Sequence, residues 1–265
     1  TFAGNGTASS VDGQGTDASF NAPTNIAIDS FDNLYVSEYG SSSIRKITPD
    51  GNVTTFAGTG SRGSNNGQGT SASFDRPYGL VFDSSSNLYV GDYGNHVIRK
   101  IDPSGNVTTF AGIMDSSGFS DGQGTSASFY GPVGLTIDPQ GNLYVTDQRN
   151  HSIRKIDPSG KVITISGTGS EGSADGIGDQ SSFNVPYGIL SDENGNLLVA
   201  DQVNHTIRNI NLVGDTINFL VVFADAAGNS GNVENTTDNS MVKVDLEAPV
   251  ISNDNITSTN QDPNW

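Results

Sequence analysis

The stretch NLYVGDYGNHVIRKIDPSGNVTTFAG, residues 87–112, decides the fold because related stretches begin at Asn33, Asn142 and Asn196. The interval between the copies is nearly constant. Four phenylalanines that precede these stretches are spaced 54, 55 and 54 residues apart: Phe20, Phe74, Phe129 and Phe183. Self-similarity at a fixed period is the signature of a repeat architecture. We therefore expect four copies of one structural unit.

Each repeat contains four short runs in which apolar and polar residues alternate. In the first repeat these runs are residues 25–29, 34–36, 44–47 and 53–57. Alternation with a period of two, in runs rich in β-branched and aromatic residues, predicts β-strands. The turn DPSG at 102–105 returns at 157–160 and suits a tight hairpin, because proline fixes φ and glycine accepts a positive φ. Each repeat is thus predicted to be a four-stranded antiparallel sheet.

A four-stranded sheet cannot bury both of its faces by itself. Radial stacking of such sheets covers the faces, which is the principle of a β-propeller. The sequence therefore predicts an all-β protein, a β-propeller of four-stranded antiparallel blades with a short β segment at the C-terminus. The repeated phenylalanines Phe74, Phe129 and Phe183 are predicted to be buried anchors of their blades.

The middle of each repeat resembles the NHL repeat, which is named for an Asn-His-Leu motif. The Asn-His pair stands at Asn95-His96, Asn150-His151 and Asn204-His205, whereas the first copy has serines there and no copy has the leucine. The resemblance covers residues 1–211 and implies a β-propeller, which in that family commonly has six blades. Four full repeats are present, so the resemblance is compatible with part of a larger ring or with a compact four-bladed one.

The two ends of the chain depart from the repeat in different ways. Residues 1–4, TFAG, match residues 55–58 at the end of a fourth strand. They represent either the stump of an upstream blade, which we favour, or a strand that completes the last blade. Residues 212–250 resemble the last strands of bacterial immunoglobulin-like surface modules and form either a partial domain of that kind or a hybrid last-blade strand. Residues 251–265 are polar and are interpreted as a linker.

The charge and the cysteine count exclude several classes of function. The chain has 29 acidic and 12 basic residues, a formal net charge of −17, and it has no cysteine. Such an acidic surface repels nucleic-acid phosphates and anionic membranes, so neither is expected as a partner. The longest apolar run, 219–224, is too short for direct insertion into a bilayer. Without cysteine, disulfides, thiolate metal sites and cysteine nucleophiles are excluded.

Two sets of repeated polar residues are candidates for chemistry. The three histidines occupy equivalent positions in three repeats, and we expect them to form structural hydrogen bonds rather than a metal site. An acidic residue follows the second strand of each repeat, at Glu38, Asp92, Asp147 and Asp201. These acids are expected to pair with the repeated arginine or histidine or to cap a turn; the alternative is a ring of carboxylates around the axis that binds calcium. No other cofactor and no catalytic residue is predicted.

The positions directly after this acid differ between repeats. They are Tyr39, Tyr93, Gln148-Arg149 and Gln202. Divergence at an exposed corner of a regular scaffold is where ligand selectivity can reside, and tyrosine and arginine are favoured in recognition surfaces. We predict that these five residues bind a ligand; the alternative is drift on a solvated loop.

Three functions are compatible with these features. The first is a non-catalytic binding or scaffold module of a secreted or cell-surface protein, which presents propeller loops to a protein or a glycan. The second is a propeller lyase or lactonase with a metal on the axis, because the NHL resemblance extends to streptogramin and amidating lyases. The third is a structural spacer in an adhesin-like protein. We expect the first, because a non-repeated cluster of histidines or carboxylates is absent from the sequence.

Overall fold

The computed structural model describes residues 1–212, 221–224 and 230–233. The chain divides into two compact units, residues 1–214 and 215–265. In the second unit, β19 (Val221–Ala224) and β20 (Ser230–Val233) form an antiparallel pair. Most of the proposed immunoglobulin-like segment and the whole of the proposed linker lie outside the described residues.

The first unit is all-β, and its sheets are arranged as four blades of a β-propeller, as the sequence predicts. The first strands of the blades are β2 (Pro23–Ile28), β7 (Pro77–Phe82), β12 (Pro132–Ile137) and β16 (Pro186–Ser191). The second strands are β3 (Leu34–Glu38), β8 (Leu88–Asp92), β13 (Leu143–Asp147) and β17 (Leu197–Asp201). The third strands are β4 (Ser43–Ile47), β9 (Val97–Ile101), β14 (Ser152–Ile156) and β18 (Thr206–Ile210). The fourth strands are β5 (Asn52–Ala57), β10 (Asn106–Ala111) and β15 (Lys161–Ser166).

The first three blades have a fifth strand that the sequence pattern did not predict. It is a Gly-Gln pair in the loop before each repeat, and it pairs with the fourth strand at the outer edge: β1 (Gly13–Gln14), β6 (Gly67–Gln68) and β11 (Gly122–Gln123). The order in the first blade is β1-β5-β4-β3-β2. A run of two residues is too short to show the alternation of apolar and polar residues that predicts a strand, so the sequence pattern indicates only a surface turn there. The fourth blade has three described strands.

Helical structure within the described ranges is limited to single 3-10 turns of three residues. Their bounds are Gly15–Asp17, Gly69–Ser71, Gly124–Ser126, Gln148–Asn150 and Gly178–Gln180. None of them approaches the length or the hydropathy that crossing a bilayer requires.

Neighbouring blades pack face to face through a repeated apolar core. Between blades 1 and 2, Tyr35 and Ile44 of the first blade contact Phe74, Leu80 and the second and third strands of the next. The same packing recurs between blades 2 and 3 and between blades 3 and 4. The predicted anchors are buried, because Phe74, Phe129 and Phe183 are at most 1% exposed. Each blade thus covers the face of its neighbour.

Two glycines allow the first strands to approach one another around the axis. A β-carbon at Gly79 would lie 2.2 Å from the carbonyl oxygen of Val133, and one at Gly134 would lie 2.3 Å from that of Tyr187. Both distances are far below van der Waals contact, so no larger residue fits without displacing backbone. β7 therefore lies against β12, and β12 against β16.

The outer faces of the first and fourth blades remain exposed. Ile26 on β2 is 62% exposed, whereas the equivalent Leu80 is 5% exposed under blade 1. Ile207 on β18 is 71% exposed, whereas the equivalent Ile98 is fully buried by blade 3. Residues 1–4 lie against blade 1 as residues 55–58 lie against blade 2, since the Gly4 amide bonds Gly15 O just as Gly58 bonds Gly69 O. The four described blades therefore form an open arc around the axis, and the arc has two uncovered ends.

Candidate functional site

The repeated acids form buried ion pairs with the repeated arginines. Asp92 Oδ2 lies 2.9 Å from Arg99 Nη1, and Asp147 Oδ2 lies 2.8 Å from Arg154 Nη1, with all four side chains fully buried. The other two pairs are Glu38–Arg45, at 3.2 Å, and Asp201–Arg208, at 2.9 Å. In each blade the guanidinium lies over the anchor phenylalanine, for example 5.0 Å above the Phe129 ring. The acids thus lie inside the blades, as the pairing alternative predicts.

Each acid also accepts hydrogen bonds that tie the blade together. Asp147 Oδ1 accepts the Tyr130 amide at 2.7 Å, and its Oδ2 accepts the Asn150 side chain at 2.7 Å. Burial raises the pKa of Asp147, and it raises that of Asp92 to about 6, against the opposing effect of the paired arginines. Among the described residues, no group of three or more histidine or acidic side chains is placed to hold a metal.

The Asn-His motif is explained by structural contacts. Asn95 Nδ2 donates to Asp92 Oδ2 and to the Gly63 carbonyl, both at 2.8 Å. His96 Nδ1 accepts the Gly131 amide of the next blade at 3.3 Å, and His151 Nδ1 accepts that of Val185 at 3.2 Å. The asparagine therefore bonds groups of its own blade, and the histidine bonds the backbone of the next blade. These contacts confirm the predicted structural hydrogen bonds for the two histidines.

Five tyrosines and two arginines meet at the end of the axis where the first strands begin. We call this group the tyrosine–arginine cluster; it comprises Tyr39, Tyr78, Tyr93, Tyr130, Tyr187, Arg76 and Arg149. Tyr78 and Tyr187 occupy the second position of β7 and β16. Tyr39 and Tyr93 follow the second strands, which end at the same side because the two strands are antiparallel. The topology of the blades thus collects these side chains.

Tyr78 is the centre of the cluster. Its ring contacts those of Tyr39 and Tyr93, with centroids 5.5 Å apart in both cases, and that of Tyr187, at 5.7 Å. All three contacts are edge-on, the geometry that aromatic pairs prefer. Tyr78 belongs to blade 2 and Tyr187 to blade 4, so the contact crosses the axis past blade 3. The close approach of β7, β12 and β16 makes this contact possible.

The two arginines lie on the tyrosine rings but have different partners. Arg76 lies 5.6 Å from the Tyr93 centroid, and its guanidinium donates to both carboxylate oxygens of Asp75. Arg149 lies 5.7 Å from the Tyr93 centroid and 5.2 Å from that of Tyr130. It donates to the Tyr93 hydroxyl at 2.9 Å and to the Tyr130 hydroxyl at 3.2 Å. These hydrogen bonds raise the pKa of Arg149, which stays charged.

The ring of Tyr93 packs directly against a glycine that leaves room for it. Gly131 has a φ of +70°, and a β-carbon there would lie 2.7 Å from Tyr93 Cε2. The tyrosines of the cluster are half-buried and Arg149 is exposed, so the rings are fixed yet open to a ligand. Burial, together with the hydrogen bond to Tyr78, raises the pKa of Tyr187, so its hydroxyl stays protonated at neutral pH. The cluster offers flat apolar rings, phenol hydroxyls and one exposed cation.

Three of the five predicted ligand-binding residues meet in this cluster: Tyr39, Tyr93 and Arg149. Gln148 and Gln202 instead use their backbone amides to bond the carbonyls of Gly131 and Val185. Sequence reasoning missed Tyr78, Tyr187, Tyr130 and Arg76. The Pro-Tyr-Gly triplets at 77–79 and 186–188 are a signal that could have found the two central tyrosines.

A concavity lies at the uncovered end of blade 4, away from the cluster. It has a volume of about 690 Å³ and is lined by residues that include Val203, Ile207 and Arg208. Its lining belongs to the face of blade 4 whose equivalent in blades 1 to 3 is covered by the next blade. It lacks the aromatic rings of the cluster, so we regard the cluster as the candidate site.

Comparison with known proteins agrees with this architecture. Residues 129–156 match the NHL repeat. The chain is 32% identical over 228 residues to the protein SUPPRESSOR OF QUENCHING 1, chloroplastic, of Arabidopsis thaliana, a match of 80% of this chain and 22% of that protein. It is 34% identical over 188 residues to human NHL repeat-containing protein 2, covering 65% of this chain and 26% of the relative. The chain therefore spans about a quarter of the length of these curated relatives.

Among solved structures, an auxiliary nutrient binding protein from Bacteroides ovatus has a similar fold. The TM-score is 0.60 at 23% sequence identity, and the alignment covers 73% of this chain and 49% of the other. At this identity the likeness establishes the fold alone.

Proposed function

We propose that the protein is a non-catalytic binding module of a secreted or cell-surface protein, and that the tyrosine–arginine cluster binds a glycan. The observation that supports this proposal most strongly is the group of half-buried tyrosines around Tyr78, which the blades hold at one end of the axis. Fixed aromatic side chains give a large contact area at a low cost in conformational entropy. The apolar C–H face of a sugar ring stacks on such rings, while its hydroxyls bond the phenols.

The remaining candidates have less support in the described part of the chain. A propeller lyase or lactonase needs an axial metal or an acid–base pair, and the four repeated acids are each engaged by the arginine of the same blade. A structural spacer gives no reason for five tyrosines to gather at one end of the axis. The secreted or cell-surface location is supported by the immunoglobulin-like resemblance of residues 212–250.

A glycan array followed by calorimetry on the selected glycan tests the proposal. We expect Tyr93→Ala to weaken binding about tenfold or more, since truncating a central interface tyrosine typically removes that much affinity. Phe31→Ala is the matched control: Phe31 is an exposed aromatic at the opposite end of the first strand, in the β2–β3 turn, and its loss should leave the affinity unchanged.

Three results would overturn the proposal. One is glycan binding that Tyr93→Ala leaves intact, which would place the site elsewhere. Another is metal-dependent turnover of a lactone or a peptide, which would favour the lyase or lactonase. Selection of a protein ligand in place of a glycan would also contradict the stated ligand class.

A further inference from the structure

Arg149 differs from every other arginine of the chain in its partners. The sequence has seven arginines, all within the described residues. Six of them pair with a carboxylate: Arg45, Arg62, Arg76, Arg99, Arg154 and Arg208. Arg149 has no carboxylate within 4.0 Å among the described residues, and its guanidinium bonds only the Tyr93 and Tyr130 hydroxyls. Arg149 is thus the one arginine among the described residues without a carboxylate partner, although the chain has a net charge of −17.

The groups around Arg149 are arranged to donate hydrogen bonds. A guanidinium has five N–H donors, and two of them serve the two tyrosines, so three remain. Because each phenol accepts a bond from Arg149, its own O–H stays available to a ligand. The surface at this point therefore presents a positive charge with several donors. A carboxylate is an acceptor-only anion with two oxygens, and arginine binds it in a two-pronged geometry.

The surrounding charge limits what kind of anion can bind. Asp75 is already held by Arg76, and the overall negative field opposes a ligand with many charges. A ligand with a single carboxylate receives the full attraction of Arg149 with the least repulsion. The ring of Tyr93 lies beside the guanidinium and the ring of Tyr78 packs against that of Tyr93, so the two rings offer a stacking surface for the body of the ligand.

We infer that the cluster binds a sugar that carries one carboxylate, a hexuronic acid residue in an otherwise neutral glycan. The inference deepens the proposed function and rests on it. Arg149 binds the carboxylate, the Tyr93 and Tyr130 hydroxyls bond the carboxylate or neighbouring sugar oxygens, and the central tyrosines stack on the ring.

Calorimetry with three matched trisaccharides tests the assignment. The first contains two glucose residues and one glucuronic acid, the second is its methyl ester, and the third contains three glucose residues. We expect the wild-type protein to bind the acid about tenfold or more tightly than the ester, because hydrogen bonds to charged groups are substantially stronger than neutral ones. Arg149→Gln should abolish this preference, because it should weaken binding of the acid far more than binding of the ester.

The control variant is Lys161→Gln, which removes one positive charge from an exposed strand residue outside the cluster. It should keep the preference for the acid, which separates local recognition from the change in net charge. Equal affinity of the wild type for the acid and the ester would overturn the inference and leave the proposed function standing. Preference for a short peptide with a free C-terminal carboxylate over all three sugars would overturn both. Binding of the acid that Arg149→Gln does not weaken would overturn the inference alone.

Discussion

Replacing Phe129 with alanine tests the physical account of the blade most directly. The Phe129 side chain is fully buried, and its ring centroid lies 5.0 Å from the guanidinium carbon of Arg154. The substitution removes the ring from a packed interface and leaves a cavity beneath a buried ion pair. Buried Phe→Ala changes cost about 3–5 kcal/mol. We expect a loss in that range, and similar losses for Phe74→Ala and Phe183→Ala.

Phe119 provides a matched control in the same blade. Its ring lies 5.1 Å from the same guanidinium carbon, but its side chain is 41% exposed. Phe119→Ala therefore removes an equivalent contact with Arg154 and much less buried area. Its expected cost is about 1–2 kcal/mol from the cation–π contact and partial burial.

Urea unfolding followed by far-ultraviolet circular dichroism measures the difference. The free energies of unfolding come from the midpoints and slopes of the two variants and the wild type. Blades of a repeat protein can unfold separately, so hydrogen exchange of β13 and β14 should report the loss in blade 3. Equal costs for the two variants, or a cost below about 1 kcal/mol for Phe129→Ala, would show that burial is not the source of the stabilisation.

Two further predictions concern charged groups. Asp147→Ala should destabilise the protein by about 3–5 kcal/mol because it removes the buried partner of Arg154 and leaves only the half-exposed Asp121 to pair with this buried cation. Asp175→Ala, which removes a 95% exposed partner of Arg208, should cost less than about 1 kcal/mol in the same urea assay, and a reversed order would contradict the account. Burial lowers the pKa of His96 from 6.5, so the unfolded chain takes up a proton at a higher pH than the folded chain. The stability that His96 contributes is therefore complete above about pH 6.5 and declines as the pH falls through the lowered pKa. His96→Asn, which suits the left-handed backbone there, should reduce this decline in melting temperature between pH 7 and pH 5, and an unchanged profile would refute the role of His96.

Pairing within a blade was readable from the sequence because the relevant residues are close along the chain. Asp92 and Arg99 lie on adjacent strands, and the turn at 102–105 fixes the next hairpin, with Gly105 at a φ of +84° as predicted. The outer Gly-Gln strand escaped notice, since β6 pairs with β10, almost 40 residues later along the chain.

The candidate site could be predicted only in part. Divergence after the second strand singled out Tyr39, Tyr93 and Arg149, because those corners interrupt an otherwise regular pattern. Tyr78 and Tyr187 sit inside strands whose first residues look like ordinary blade positions. Their contact joins residues 109 positions apart along the chain and depends on how closely three strands approach the axis.

The sequence by itself determined the number of repeats, the strands and tight turns of each blade apart from the outer Gly-Gln strand, and the identity of the buried anchors, because these depend on interactions within about 54 residues. Only the tertiary structure decided which side chains meet at the axis and which arginine lacks a carboxylate. Those features depend on the angle and distance between neighbouring blades, which Gly79 and Gly134 allow but no local pattern specifies. Contacts between different blades join residues that are far apart in the chain. They form only when the faces of the blades pack together.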